Sequence, residues 1–422
     1  MQLFSARHKR YSSNHLKQGF CPKLWKLLSA VLGEEVNQTN LWTALKQRVR
    51  WRRAQKTKQA KYLFVAEDKV TTANERQDWG EVVDVDLFKG RTEELATLEQ
   101  WIVNDRCRLV VLLGMGGIGK TTLAVKLAEQ IQDQFEYLIW RSLRHAPPVE
   151  DITAELIQFL SKEQKTDLAS TVEGRVSQLI NYLCNSRCLL ILDSAESILC
   201  SRELAGSYRE GYEAYGSLLK RVGEAPHQSC LVLTSREKPK EIAPLEGKTL
   251  PVRALQLRGL KLAEAQGLLR DKGISSSQDE LRELIKRYSG NPLALKIVAT
   301  TIQELFDGNV FEFLTQGKAF FGEFRGFLDQ QFERLSDLEK QIMYWLAINR
   351  EPVSAQKLQE NIIPTGSQPT LLEALESLER RSLIEKDFAL FTQPTVFMDY
   401  MTAGEGLPLS DRVAAQGQGY ES

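Results

Sequence analysis

The chain lacks any long apolar run. None of its hydrophobic stretches approaches the roughly 18 residues that a membrane-spanning helix needs. Its N-terminus, MQLFSARHKR, also lacks the apolar core of a secretory signal. We therefore predict a cytoplasmic protein with no membrane partner.

Metal-binding residues are scarce as well. The 422 residues include six cysteines, none of them in a C-x-x-C pair, and only four histidines. Structural zinc sites need such side chains in closely spaced groups, which argues against a zinc-binding fold. The remaining composition, 42% hydrophobic and 26% charged, is typical of globular proteins.

Charge is balanced over the whole chain but not along it. Residues 1–62 hold 14 lysines and arginines against two acidic residues, so the remainder is acidic. Such a basic segment can contact nucleic acid, dock on the acidic remainder or present a solvated face. These three alternatives stay open, with DNA as a candidate partner of residues 1–62.

A phosphate-binding loop is the strongest motif in the chain. Residues 114–122 read GMGGIGKTT and match G-x-x-x-x-G-K-[ST], between a predicted strand at 109–113 and a predicted helix. Glycines let successive backbone N–H groups point at a phosphate, and the helix N-terminus adds its dipole. The expected nucleotide-binding residues of the loop are Gly114, Gly116, Gly117, Gly119, Lys120, Thr121 and Thr122.

Three side chains are expected to complete a nucleotide and magnesium site. Lys120 supplies a point charge for the β- and γ-phosphates, and the Thr121 hydroxyl is placed to ligate Mg²⁺. Asp193 ends the apolar run 188–192, where a carboxylate can hold the metal, although an aspartate can also cap a helix. The predicted metal residues are thus Thr121 and Asp193.

The position after Asp193 is informative for hydrolysis. It is Ser194, whereas many phosphoryl-hydrolysing proteins carry a second acid there that orients water. Glu196 can provide that carboxylate from the next turn, or it can be an exposed helix residue.

Arg236 follows another predicted strand, 229–234. It can reach the γ-phosphate of a bound nucleotide, or it can pair with Glu237 at the surface. The candidate catalytic residues are Lys120, Asp193, Glu196 and Arg236.

Apolar strands alternate with helices from residue 87 onward. The predicted strands are 109–113, 137–141, 188–192 and 229–234, and the predicted helices are 92–103, 120–132, 150–162, 172–185 and 212–222. This alternation predicts an α/β P-loop NTPase core, a parallel sheet with helices on both faces. After about residue 256 the pattern indicates helices at 261–271, 277–288 and 292–306.

Four segments together resemble the NB-ARC module of the STAND signalling NTPases, the nucleotide switch of plant disease-resistance proteins. They read GMGGIGKTT, LLILDSAES, LVLTSRE and YSGNPLALKIVA, in the family's order over about residues 86–400. The resemblance implies ADP or ATP as ligand. It implies that Phe88 and Arg91 lie near the adenine and phosphates, that Arg236 is the sensor, and that Pro292 packs on the adenine.

The resemblance also implies a winged-helix domain that closes on ADP. Ser336 and Glu339 form a capping-box pattern, residues 371–378 make a second helix, and residues 383–386 begin a wing. Where the family carries a histidine after the wing, this chain has Gln393. An amide can hydrogen-bond but cannot ionise, so we expect Gln393 to contact nucleotide without the histidine's charge.

Both ends of the chain look shortened relative to this family. Residues 11–50 resemble only the last part of a helix-turn-helix-type domain, and sensor repeats are expected after the winged helix, so we expect a shortened gene copy. The predicted order is a basic helical, partial helix-turn-helix-like segment (1–62), a linker (63–86), the P-loop nucleotide-binding domain (87–255), a helical subdomain (256–320), a winged-helix domain (321–400) and a disordered tail (401–422).

These features predict a signalling switch that holds ADP at rest and opens or self-associates when ATP replaces it. Its effector or sensor partner is unknown, and we expect ATP hydrolysis to be slow because Ser194 replaces a second acid. One alternative is an ATP-regulated DNA-binding transcription regulator. Another is a turnover ATPase, which needs an efficient water-orienting residue.

Overall fold

The computed structural model describes residues 76–82, 85, 88–161, 167–316, 322–362 and 368–402. The chain divides into two compact units, Met1–Asn74 and Glu75–Ser422, and the described residues all belong to the second. The predictions for the basic segment 1–62 and for most of the tail 401–422 therefore lie outside the described residues.

Six parallel strands form the central sheet of the second unit. In chain order they are β1 (Gln77–Asp78), β2 (Leu109–Leu113), β3 (Tyr137–Ser142), β4 (Cys188–Asp193), β5 (Cys230–Ser235) and β6 (Val252–Gln256). They lie in the order β1-β3-β4-β5-β2-β6. Strands β2 to β5 confirm the four strands that the sequence predicts.

The two edge strands, β1 and β6, are not predicted from the sequence. β1 falls inside the predicted linker 63–86, of which the structure describes residues 76–82 and 85. Two polar residues are too few to show a period, and the pairing is made by backbone groups, as when the Leu138 N–H donates to the carbonyl of Arg76 at 3.0 Å. β6 shows no clear pattern because its side chains at the edge are only partly covered.

Helices cover both faces of the sheet, as the sequence predicts. They are Thr92–Glu99, which continues into a π-helical turn at Gln100–Asn104, then Lys120–Ile131, Val149–Leu160, Val172–Asn185, Ala214–Glu224 and Ile242–Leu245. Alternate residues of β2 face opposite ways. Leu109 and Val111 belong to the apolar cluster that includes helix Val149–Leu160, and Val110 belongs to the cluster that includes helix Lys120–Ile131. Burial on both faces explains why this strand is apolar throughout.

The parallel arrangement brings the carboxyl ends of all six strands to one edge. Gly114 follows β2, Asp193 ends β4 and Arg236 follows β5, so residues far apart in the chain meet at this edge. The functional site described below lies here.

Helices dominate the rest of the chain. The first four are Leu262–Asp271, Gln278–Arg287, Pro292–Leu305 and Val310–Thr315. Residues 322–402, called here the C-terminal region, contain Gly322–Glu333, Asp337–Asn349, Ala355–Ile362, Gln368–Arg380 and Thr395–Thr402. The C-terminal region also contains an antiparallel sheet of β7 (Val353–Ser354), β9 (Leu390–Thr392) and β8 (Glu385–Asp387), in that order.

One apolar core joins the four helices to the C-terminal region. The capping box at Ser336 is confirmed, since its hydroxyl accepts the Glu339 N–H while the Glu339 carboxylate accepts the Ser336 N–H. No helix in the described ranges combines the length and apolarity needed to cross a membrane.

Candidate nucleotide-binding site

The phosphate loop has the backbone that its glycines predict. Gly117 and Gly119 adopt φ of +73° and +97°, in the left-handed region that residues with a Cβ avoid. Helix Lys120–Ile131 begins directly after them, with Thr121 and Thr122 in its first turn. Its free N–H groups and its dipole therefore face the loop, an arrangement suited to binding an anion.

Lys120 is buried against the loop. Its ammonium donates to the carbonyls of Gly114 at 2.7 Å and Met115 at 3.3 Å. Burial lowers the pKa of Lys120 to about 8, an effect that the nearby Glu196 carboxylate partly opposes. A phosphate bound beside Lys120 would stabilise the protonated, charged form of its side chain.

The predicted metal residues meet. The Thr121 hydroxyl donates to Oδ1 of Asp193 at 2.7 Å, and Thr234 donates to the same oxygen at 2.7 Å. The Ser194 hydroxyl donates to Oδ2 at 3.1 Å. A buried carboxylate beside a threonine hydroxyl fits Mg²⁺, which takes few protein oxygens and completes its shell with phosphate and water. The described residues contain no group of three or more His, Cys, Asp or Glu that could form a protein-only metal site.

Arg236 pairs with Glu196 and not with Glu237. Its Nε lies 2.9 Å from Oε1 of Glu196, and its backbone N–H donates to Oε2 at 3.2 Å. The alternative of a surface pair with Glu237 is wrong, because Glu237 is buried and binds other partners. The guanidinium also stacks on Phe327 of the C-terminal region, 5.0 Å from the ring centroid.

Gly116 is the point where three parts of the chain converge. A Cβ on this residue would lie 2.1 Å from Cζ of Phe327 and 3.1 Å from Cζ of Arg236. Its carbonyl accepts a hydrogen bond from Nδ2 of Asn291 at 3.0 Å. Only glycine fits in this space.

The sequence predicts the helix that starts at Pro292, but Asn291 is not among the predicted site residues. Asn291 is fully buried, and its Oδ1 caps helix Pro292–Leu305 by accepting the N–H groups of Leu293 and Ala294. An asparagine directly before a helix-starting proline is a capping signal that could have identified it. Its amide N–H then reaches the phosphate loop, so one side chain joins the two elements.

Arg91 contacts the phosphate loop directly, whereas Phe88 packs against the apolar core of the nucleotide-binding domain. The Arg91 guanidinium donates to the carbonyls of Ile118 at 3.1 Å and Arg258 at 2.7 Å, and it pairs with Glu94. Phe88 packs partly buried against the apolar cluster under the sheet. Their contact with nucleotide, like that of Pro292, stays a prediction.

One cavity lies between the loop and the C-terminal region, and a second lies between residues 260–290 and the C-terminal region. The first, of about 470 Å³, is lined by Met115 and Ile118 of the loop and by Pro394. The second, of about 350 Å³, contains Gln393, which is 3% exposed. Neither amide atom of Gln393 has a hydrogen-bond partner in the described part of the chain. A buried amide without a partner is costly, so these two atoms fit a ligand that can bind them.

Two protein-family models match the sequence. The NB-ARC domain model matches residues 91–196. A model described as the N-terminal HTH of vWA-MoxR associated protein matches residues 5–48.

The chain is also similar in sequence to longer proteins. Over 345 residues the chain is 53% identical to an uncharacterized WD repeat-containing protein of Nostoc sp., covering 79% of this chain and 27% of that protein. It is 26% identical over 204 residues to disease resistance protein RPM1 of Arabidopsis thaliana, covering 44% of this chain and 20% of that protein. The chain thus spans much less than half the length of either relative.

A solved structure shares the fold. The Walker-type ATPase of Pyrococcus abyssi aligns with a TM-score of 0.50 at 16% identity, covering 77% of this chain and 99% of that one. With a P-loop core, a match of residues 91–196 to the NB-ARC domain model and a disease resistance protein among its relatives, the chain contains an NB-ARC domain.

Proposed function

We propose that this chain is an ADP/ATP switch for signal transduction in the cytoplasm. In this proposal the closed form holds ADP. Exchange for ATP opens the C-terminal region and exposes a surface for self-association, and an effector or sensor protein reads the change.

The convergence at Gly116 carries this proposal. The phosphate loop contacts helix Pro292–Leu305 through Asn291 and the C-terminal region through Phe327. Phosphates bound to this loop would therefore act on three parts of the chain at once. A ligand shifts a conformational equilibrium only by binding two states differently, and this loop offers such a difference.

The γ-phosphate is the group that would discriminate the two states. Arg236 forms an ion pair with Glu196. We propose that this arrangement is the closed form. A γ-phosphate would compete with that carboxylate for the guanidinium and would crowd Phe327 above it. ADP lacks the competing group, so it is compatible with the closed arrangement.

The remaining residues are assigned roles in binding. Backbone N–H groups from Gly114 to Thr122 and the ammonium of Lys120 would bind the phosphates. Mg²⁺, held through Thr121 and Asp193, would neutralise phosphate charge. Gln393 would donate its unpartnered amide to the nucleotide from the C-terminal region, for which the helices and the small antiparallel sheet support a winged-helix assignment. Phe88, Arg91 and Pro292 would border the adenine side.

ATP hydrolysis is proposed to be slow. Ser194 replaces a second acid after Asp193, and a nearby substitute, Glu196, is held by Arg236. A carboxylate in an ion pair is a weak base for orienting water. A turnover in the range of about 1–100 s⁻¹ would instead favour the turnover ATPase.

Titration with fluorescent ADP and ATP tests the proposal. We expect wild type to bind both nucleotides and Lys120→Ala to bind neither. Size-exclusion chromatography should show a larger assembly with ATP and Mg²⁺ than with ADP. Equal ADP binding by Lys120→Ala, or identical elution in both nucleotides, would contradict the switch.

A second candidate function is ATP-regulated DNA binding. The match of residues 5–48 to a helix-turn-helix model and the basic charge of residues 1–62 favour it. Duplex DNA affinity that falls steeply with salt and changes between ADP and ATP would support this function. No measurable affinity at low salt would remove it.

A further inference from the structure

Glu237, the residue after Arg236, connects the nucleotide-binding domain with the C-terminal region. It is 2% exposed. Its Oε1 accepts hydrogen bonds from Nε of Arg334 at 2.8 Å and from the Arg381 guanidinium at 2.6 Å. Both arginines belong to the C-terminal region, so each of these ion pairs spans the two parts of the chain.

The bonds continue beyond Glu237 in an unbroken series. Nε of Arg381 donates to Oε1 of Glu339 at 3.1 Å, and the Ser377 hydroxyl donates to the same oxygen at 2.6 Å. The backbone N–H of Ala205, in the nucleotide-binding domain, donates to the Ser377 hydroxyl at 2.7 Å. The series therefore begins and ends in the nucleotide-binding domain and passes through the C-terminal region.

The charged side chains of this series are buried, so each one needs its partner to compensate its charge. Arg381 is 3% exposed and Glu339 is fully buried. A buried charge is costly unless it is paired, and removing one partner leaves the other uncompensated. Burial raises the pKa of Glu237, and the two guanidiniums oppose that rise. Separation of the two parts would break both ion pairs of Glu237.

The series also contacts the nucleotide sensor. Glu237 and Arg236 are consecutive, but their side chains diverge, one to Arg381 and one to Glu196. Arg334 in addition donates to the backbone carbonyl of Glu196 at 3.3 Å. A movement of Arg236 away from Glu196 and towards a γ-phosphate would therefore shift the backbone that positions these ion pairs.

We propose that Glu237, Arg334 and Arg381 form a latch that keeps the C-terminal region closed and limits the rate of nucleotide exchange. This inference rests on the proposed switch function and names its regulation. The latch releases when Arg236 and Glu196 separate. The ligand that releases the latch is a nucleoside triphosphate, because a diphosphate leaves the ion pair between Arg236 and Glu196 in place.

The test measures the release of a fluorescent ADP analogue from the full chain after mixing with excess ADP. Glu237→Gln, Arg381→Gln and the double variant are compared with wild type. Each single variant should release ADP about tenfold faster or more, and the double variant should be little faster than either single one, because all act on one latch. Single-variant rates within about twofold of wild type would overturn the proposal.

Arg350→Gln is the matched control. It removes a guanidinium whose partner, Asp399, lies in the same C-terminal region, so release should stay at the wild-type rate. Faster release by this control as well would mean that general loosening, and not the latch, sets the rate.

Two further measurements keep the test decisive. If the charge variants do not fold, Ser377→Ala removes only the hydroxyl between Ala205 and Glu339 and should still accelerate release; an unchanged rate overturns the latch.

If wild type binds no nucleotide, the proposed function fails. Limited proteolysis of the nucleotide-free chain then tests the latch alone, since Glu237→Gln should be cleaved faster than wild type, and equal cleavage overturns the latch.

Discussion

The Thr121 hydroxyl donates to Oδ1 of Asp193 at 2.7 Å across 72 residues of sequence. Thr121 lies in the first turn of the helix after the phosphate loop, and Asp193 ends strand β4. Their contact places a carboxylate and a hydroxyl where a metal bound to nucleotide phosphates would need them.

Asp193→Asn should weaken binding of ATP with Mg²⁺ by about 10- to 100-fold and binding of ADP by less, because the metal bridges the outer phosphates. Isothermal titration with each nucleotide, with and without Mg²⁺, measures the difference. Asp279→Asn, which changes an exposed carboxylate in a distant helix, serves as control. Equal losses for ADP and ATP would remove Asp193 as the magnesium residue.

Nucleotide affinity should fall as the pH rises above about 8. The pKa of Lys120 in the free protein is lowered to about 8 by burial, so its ammonium loses its proton above that pH, whereas phosphate binding favours the charged form. Binding should therefore take up protons between about pH 8 and 10. Titration calorimetry in buffers of different ionisation enthalpy measures this uptake. Constant affinity from pH 7 to 10 would contradict the role assigned to Lys120.

Gly116→Ala should open the closed form. The added Cβ would lie 2.1 Å from Cζ of Phe327, so the Phe327 ring must shift. We expect faster limited proteolysis and weaker ADP binding, both partly restored by Phe327→Ala. Gly267→Ala, which adds a Cβ into open space on a helix, should behave as wild type or be slightly more stable. No rescue by Phe327→Ala would indicate that the loop itself is damaged.

Asn291→Ala should lower stability by about 1–2 kcal/mol, because it removes a helix cap together with the bond to the Gly116 carbonyl. Thermal unfolding measures the loss. Ser277→Ala removes a cap in the neighbouring helix without touching the loop, so it should lower stability but leave ADP affinity unchanged. Equal ADP affinity in both variants would separate Asn291 from the nucleotide site.

Contiguous features of the site are predictable from the sequence. The phosphate loop is specified by neighbours in the chain, and the parallel sheet follows from apolar strands that alternate with helices. Asp193 could be identified because a strand end fixes its position relative to the loop. The short polar strand β1 could not, since two residues carry no period and its pairing uses backbone groups.

Contacts between distant segments are not predictable in the same way. The pairing of Arg236 with Glu196, and the turn of Glu237 inward to two arginines, depend on how the C-terminal region packs. Phe327 carries no motif, and its position over Gly116 follows only from the fold. The sequence can name the groups that bind phosphate, but not the contacts that would report their occupancy.

Identification of the nucleotide that the purified protein carries tests the central claim most directly. Heat denaturation of the full chain, followed by chromatography of the supernatant, measures the identity and amount of that nucleotide. The switch predicts stoichiometric ADP from wild type and none from Lys120→Ala. Wild-type protein that releases no adenine nucleotide, and that binds neither ADP nor ATP when they are added, would contradict it.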